Sequence, residues 1–222
     1  MTLVPLGPAE RLAALVRGHG DELPLDEAVA LFAAAEDPSV HADDVLASID
    51  QLARGLYLPP DEPMHLKVAR LVRHLFDEHG FEGDSADYDD PENSLIHKVI
   101  ERRRGLPILL SVLTCEVARR ADFEVVGVGF PNHFLVMPVG AEPAFYLDPF
   151  HGGRVVTLPT LQHKLLQMGV PTSMHPRFLG ALSPRLILVR MCLNLRGSYL
   201  RRGMRKEASR VEARLAVLQE GM

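Results

Sequence analysis

Apolar residues in the first 80 positions recur at helical spacing and are broken by glycine and proline. Pro8 can sit in a first helical turn ahead of Leu12, Leu15 and Val16, with Gly18 and Gly20 as stops. Asp26 can cap a second segment carrying Val29, Leu31 and Phe32. A third stripe, Val45, Leu46, Ile49 and Leu52, runs to Gly55; a fourth follows Pro63 with Leu66, Val68, Leu71, Val72, Leu75 and Phe76, and stops at Gly80. Residues 1–80 therefore read as a helical N-terminal subdomain.

Helical periodicity resumes at Ser94 through Leu95, Ile96, Val99 and Ile100, and Gly105 is expected to end it. Pro107 then opens a helix to about Arg120, in which Leu109, Leu110, Val112, Leu113, Val117 and Ala118 cover most of the circumference. A helix apolar nearly all round belongs at the centre of a fold. After Asp122 the pattern becomes short β-like runs, Val125 to Phe130, His133 to Val139, Ala144 to Leu147 and Arg154 to Val156, separated by proline and glycine. Such closely spaced strands predict an antiparallel meander packed on the central helix, an α+β core over residues 81–160. The remainder, 161–222, reads as helical. Ser183-Pro184 starts a run from Ile187 to Tyr199, Gly203 breaks it, and Glu207 to Leu218 follows, a single helix pair expected to cap the core.

Composition narrows the classes. Apolar content of 47% and charged content of 24% describe a globular chain. A net charge of −5 and a pI near 6.1 argue against a nucleic-acid binder. The basic runs, Arg102-Arg103-Arg104 and Arg201-Arg202, both fall at helix ends. Asp84, Asp87, Asp89, Asp90 and Glu92 crowd one short segment, but without the ligand order of a calcium loop, so it reads as a solvated acidic connection. Cys115 and Cys192 lie in apolar helical runs, which suits buried free thiols in a reducing compartment. With no secretory leader pattern and no apolar stretch long enough to span a bilayer, the expected address is the cytoplasm.

Candidate chemistry concentrates between Arg104 and Pro149. A helix opens at Gly105-Leu106-Pro107, His133 stands at the start of a strand, and Asp148 closes another. A base and its orienting carboxylate placed on neighbouring strands can meet across the hairpin. No H-x-x-x-H or H-E-x-x-H pattern occurs, so a zinc site would need distant residues such as His133, His151 and Asp148; no metal or other cofactor is expected.

The segments Asn93-Ser94, Glu101 to Pro107, Gly129 to Val136 and Leu147 to Gly153, with Asn194 to Gly203 in the tail, resemble the SirB1 family, whose core is transglutaminase-like (papain-like). The likeness covers roughly residues 30–220 and is densest between 93 and 153. It implies that Gly105-Leu106-Pro107 lies on the G-x-C of active relatives, with Ala118-Arg119-Arg120-Ala121-Asp122 on the turn that follows. Pro107 then occupies the nucleophile position, and His133 and Asp148 match the family histidine and aspartate. Proline has no nucleophilic atom. The resemblance thus implies a degenerate site that binds a peptide or protein partner in the former groove, with Pro107, Asn132 and Phe134 as contact residues and Pro107 beside His133. The competing expectation is an active amide hydrolase or acyltransferase in which Ser111, one helical turn on, or Cys115, two turns on, attacks with His133 as base and Asp148 as orienter. Neither nucleic acid nor membrane is an expected partner.

Overall fold

The computed structural model describes residues 6–221. Four helices come first: α1 (Pro8–His19), α2 (Leu25–Glu36), α3 (Ala42–Ala53) and α4 (Met64–Val72), the last continued by a π-helical stretch over Arg73–Glu78. Pro8 stands at the start of α1, where its missing N–H is harmless, and Gly20 at φ 58° terminates it; Gly18 lies inside the helix. Asp26 does not cap α2. The helix begins one residue earlier behind Pro24, and Asp26 instead receives Arg119 and Arg120 at 2.7 and 2.9 Å.

The acidic segment is not simply solvated. Glu82–Gly83 (β1) pairs in parallel with Arg104–Gly105 (β2), so the intervening helix α5 (Ile96–Arg102) ends at Arg103, φ 59°, before Gly105 is reached. The acidic side chains between these strands are taken up by the two basic runs. Arg102 reaches Asp84, Asp90 and Glu92 at 3.4, 2.7 and 2.9 Å; Arg201 meets Asp89 at 2.8 Å and Arg202 meets Asp87 at 2.5 Å. Acidic and basic runs far apart in sequence thus tie the end of α5 and the tail to one loop.

Helix α6 (Pro107–Arg120) is buried from Pro107 through Ala118, with Leu109 and Val117 fully enclosed. It packs against β3 (Val125–Val128) and β4 (Leu135–Pro138) of an antiparallel sheet ordered β3-β4-β5-β6, completed by β5 (Phe145–Asp148) and β6 (Arg154–Thr157). Alternation divides the sheet's side chains between two cores. Val125, Val136 and Leu147 join α6 and the other helices in the main core, which runs from Leu12 to Leu218; Val128, Leu135, Tyr146 and Val156 face a smaller core closed by α7 (Leu158–Gln167) and α8 (His175–Leu179). The tail pair, α9 (Pro184–Arg201) and α10 (Arg205–Gln219), packs on itself and on α1 and α2, closing the main core.

Candidate functional site

The strand expected to begin at His133 begins at Leu135. Asn132 adopts φ 55°, a left-handed turn conformation, and the His133 N–H donates to the Phe130 carbonyl at 3.1 Å, so Phe130 to His133 form a turn that ends the previous strand's path. This turn is held from outside by Arg190 of α9. Its guanidinium donates to the carbonyls of Phe130 (3.2 Å) and His133 (2.9 Å) and lies 5.1 Å above the Phe134 ring. Burial lowers the Arg190 pKa from its ordinary value. Gly129 leaves room for it, since a Cβ there would come within 2.5 Å of Arg190 Nη1.

Held in this way, His133 turns its Nε2 toward Asp148 Oδ1 at 2.9 Å, fifteen residues away on the end of β5. His151 approaches the same carboxylate from the short 3₁₀ turn Pro149–His151, with Nδ1 2.8 Å from Oδ2. Asp148 is buried, His133 half-buried and His151 exposed. Burial alone would raise the Asp148 carboxyl, but the hydrogen bond and charge of His133, followed by those of His151, hold it below the ordinary carboxylate value. The Gly153 N–H donates to the Asp148 carbonyl at 2.9 Å, and glycines at 152 and 153 supply the positive φ the turn needs. The Phe150 ring meets both imidazoles edge-on, at 6.2 Å from His133 and 5.2 Å from His151, and Tyr88 backs it at 5.9 Å.

These residues open on a cavity of about 410 Å³ behind the sheet, on the α7 side. Its walls are largely apolar, from Phe130, Leu135, Val156, Leu161 and Met168, with Asn132, His133, Asp148, His151, Arg154 and Lys164 as polar lining. None of the other expected site residues lines this cavity. Phe134 is 1% exposed and points into the main core beneath Arg190, so its part is to support the turn and not to line the cavity; strand alternation gives the cavity face to Leu135. Pro107 occupies the first turn of α6 and is buried. Ser111 is fully enclosed, its Oγ without a hydrogen-bond partner among the described residues. Cys115 borders a separate cavity of about 900 Å³ between the α6 C-terminal half, β3 and the start of α9, and burial pushes its thiol far up.

Neither Arg190 nor Phe150 carries a sequence signal strong enough to mark it as a site residue. The available signals were an arginine inside the apolar run of α9 and an aromatic directly after Asp148-Pro149. In the sequence, His151 is only a distant candidate zinc ligand.

A helix buried over most of its length, packed on an antiparallel sheet that brings a histidine to an aspartate, fits a transglutaminase-like fold. The family described as Transglutaminase-like superfamily matches residues 43–193, more than half of the chain, and the chain belongs to it. It is similar to a UPF0162 protein of Xylella fastidiosa strain 9a5c, 37% identical over 69% of this chain and 56% of that protein, and to a UPF0162 protein of Pseudomonas aeruginosa, 34% identical over 78% of this chain and 63% of that protein. It is also similar to mouse F-box only protein 21, 32% identical over 59% of this chain and 21% of that protein. The chain spans a little over half the length of the first of these relatives. No solved structure matches it significantly. No helix among the described residues is long and apolar enough to cross a membrane.

Proposed function

We propose that this chain is a transglutaminase-like protein of the SirB1 kind that has lost catalysis and binds a peptide or protein partner at the cavity beside His133. The observation that carries this reading is the division of the site. The histidine and aspartate meet at a cavity mouth, whereas Pro107, which the resemblance aligns with the nucleophile, is buried in a helix turn and has no atom that can attack a carbonyl. Ser111 and Cys115 offer poor substitutes. The Ser111 hydroxyl is enclosed, the Cys115 thiol is pushed up by burial and lacks thiolate character, and neither lines the His133 cavity. What persists is a concave, mostly apolar surface with convergent polar groups, the chemistry that suits a ligand. Recurrence of a similar segment inside the longer F-box only protein 21 fits a module that joins other domains.

Two measurements test the proposal together. A displayed random-peptide library selected on the immobilised protein is expected to yield binders whose amide shift changes map to Asn132, His133, Arg154 and Lys164, and whose affinity falls at least tenfold in Leu161→Trp, which fills the cavity. Acyl- and thiol-directed probes are expected to leave the native protein unlabelled. Failure to select any peptide that maps to the cavity would defeat the binding reading. Labelling of Ser111 or Cys115 that disappears in His133→Ala would replace it with an active hydrolase or acyltransferase.

A further inference from the structure

His133, Asp148 and His151 place three donor atoms within 4.8 Å of one another, the one such group among the described residues. We propose that they form a binding site for a divalent transition-metal ion of the zinc class, with the Asp148 carboxylate and the two imidazoles as ligands and outside access through the cavity of about 410 Å³.

The argument begins with how the groups converge. Each imidazole nitrogen approaches a different oxygen of one carboxylate, 2.9 Å from His133 Nε2 to Oδ1 and 2.8 Å from His151 Nδ1 to Oδ2. The four atoms form a crescent around the carboxylate. A tetrahedral zinc centre has metal–nitrogen and metal–oxygen bonds of roughly 2.0–2.2 Å. Neighbouring ligand atoms then stand about 3.3 Å apart, simple geometry from those bond lengths. The present spacings are a few tenths of an ångström short of that value along the two hydrogen bonds. The three donors spread over as much as 4.8 Å, so the two imidazole nitrogens must also draw together, by side-chain rotation of the half-buried His133 and the exposed His151. An ion in the mouth of the crescent would replace the two protons that now join the imidazoles to the carboxylate.

The donors also sit on restrained supports, which reduces the cost of assembling a site. His133 is fixed through its own carbonyl by Arg190, Asp148 through its carbonyl by the Gly153 N–H, and both rings by the edge of Phe150. Two imidazoles with one carboxylate are a common donor set for zinc sites that keep a position for an outside ligand. All three residues line the cavity, so such a ligand could reach the ion. This inference is independent of the peptide-binding proposal, and each can fail without the other.

The test is titration of tag-free protein with Co²⁺, followed by its visible d–d absorption, then displacement by Zn²⁺. One equivalent of Co²⁺ is expected to give the intense bands of a low-coordinate nitrogen and oxygen site, with Zn²⁺ removing them stoichiometrically. His151→Ala is the decisive variant, because its side chain is 53% exposed and its removal leaves the core intact; it should weaken Co²⁺ affinity at least tenfold with unchanged circular dichroism. Asp148→Asn should abolish the bands, and any loss of fold in that variant is read separately by circular dichroism. Binding that is unaltered in His151→Ala, weak pink octahedral Co²⁺ spectra only, or more than one equivalent of equally weak binding at scattered histidines would overturn the proposal.

Discussion

Replacing Arg190 by methionine tests whether the tail helix holds the histidine turn. Methionine keeps much of the aliphatic stem and removes the guanidinium, so the loss is confined to three interactions. The Phe130 carbonyl retains the His133 N–H, but among the described residues the His133 carbonyl keeps no other hydrogen-bond donor once Arg190 is gone. Stranding a partly buried acceptor costs about 1–3 kcal/mol, and the lost contact over the Phe134 ring adds roughly 0.5–1 kcal/mol. Removing a charge that burial already disfavours returns part of this sum. A net destabilisation of about 2–3 kcal/mol is expected, read as a lower midpoint in urea with an unchanged slope. A second readout separates positioning from bulk stability. In the native state of Arg190→Met, the His133 ring resonances should shift or broaden as its distance to Asp148 becomes variable. Gly129→Ala should give the same spectral change with a smaller loss, since its Cβ displaces the flexible end of Arg190 and presses on the tip of Leu182, with no backbone in the way. A variant within 0.5 kcal/mol of the parent, roughly the ordinary scatter of surface substitutions, with unaltered His133 resonances would refute the reasoning.

Gly83→Ala should be costly at a position that looks unremarkable in sequence. Its Cβ would lie 2.5 Å from the Phe150 carbonyl oxygen, so backbone must move, and overpacking of this kind costs about 1–3 kcal/mol; a parental thermal midpoint would contradict it. Burial pushes Cys115 far up and Cys192 up to about 12, so neither thiol should react with a disulfide reagent at pH 8 until denaturant is added, and fast native labelling of either would show that its helix is open. Asp148 has a folded pKa below its unfolded value, so its contribution to stability is present above the unfolded carboxylate range, near 3.9, and is lost as pH falls through the lower folded value. Unfolding free energies measured from pH 6 to 2 should therefore drop less steeply in Asp148→Asn than in the parent. Identical acid limbs would mean that the His133 and His151 bonds do not stabilise the charged carboxylate.

The elements read best from sequence are those whose signal is local. Pro107 and the run of apolar residues behind it set both the start and the burial of α6, because a proline at a first helical turn and a fully apolar circumference each have one comfortable solution. The meander followed in the same way from short β-rich runs between glycine and proline, and the meeting of His133 with Asp148 from their places on adjacent strands. Strand boundaries were less legible, since an asparagine in a left-handed turn looks like any other residue in a hydrophobic pattern, and it moved the start of β4 from His133 to Leu135. That shift also decides which neighbour of His133 meets a ligand. The resemblance implies Phe134 as a contact residue, whereas the structure gives Phe134 to the main core and Leu135 to the cavity.

What sequence conceals here is long-range charge pairing, and it governs how the site is framed. The acidic segment carries no periodicity and reads as solvated when taken alone. Its partners are Arg102 at the end of α5 and Arg201 and Arg202 at the end of α9, the last two more than a hundred residues away. Single exposed ion pairs contribute little, about 0–1 kcal/mol each, so the value of the arrangement lies in registration more than in strength. It places Tyr88 against Phe150, and Phe150 against both histidines, at the point where the tail meets the core. Arg190 reaches the His133 turn from that same tail helix. The helical tail is therefore a structural wall of the histidine site from two directions, so that a change which loosens α9 should be felt at His133 before it is felt in the buried interior of α6.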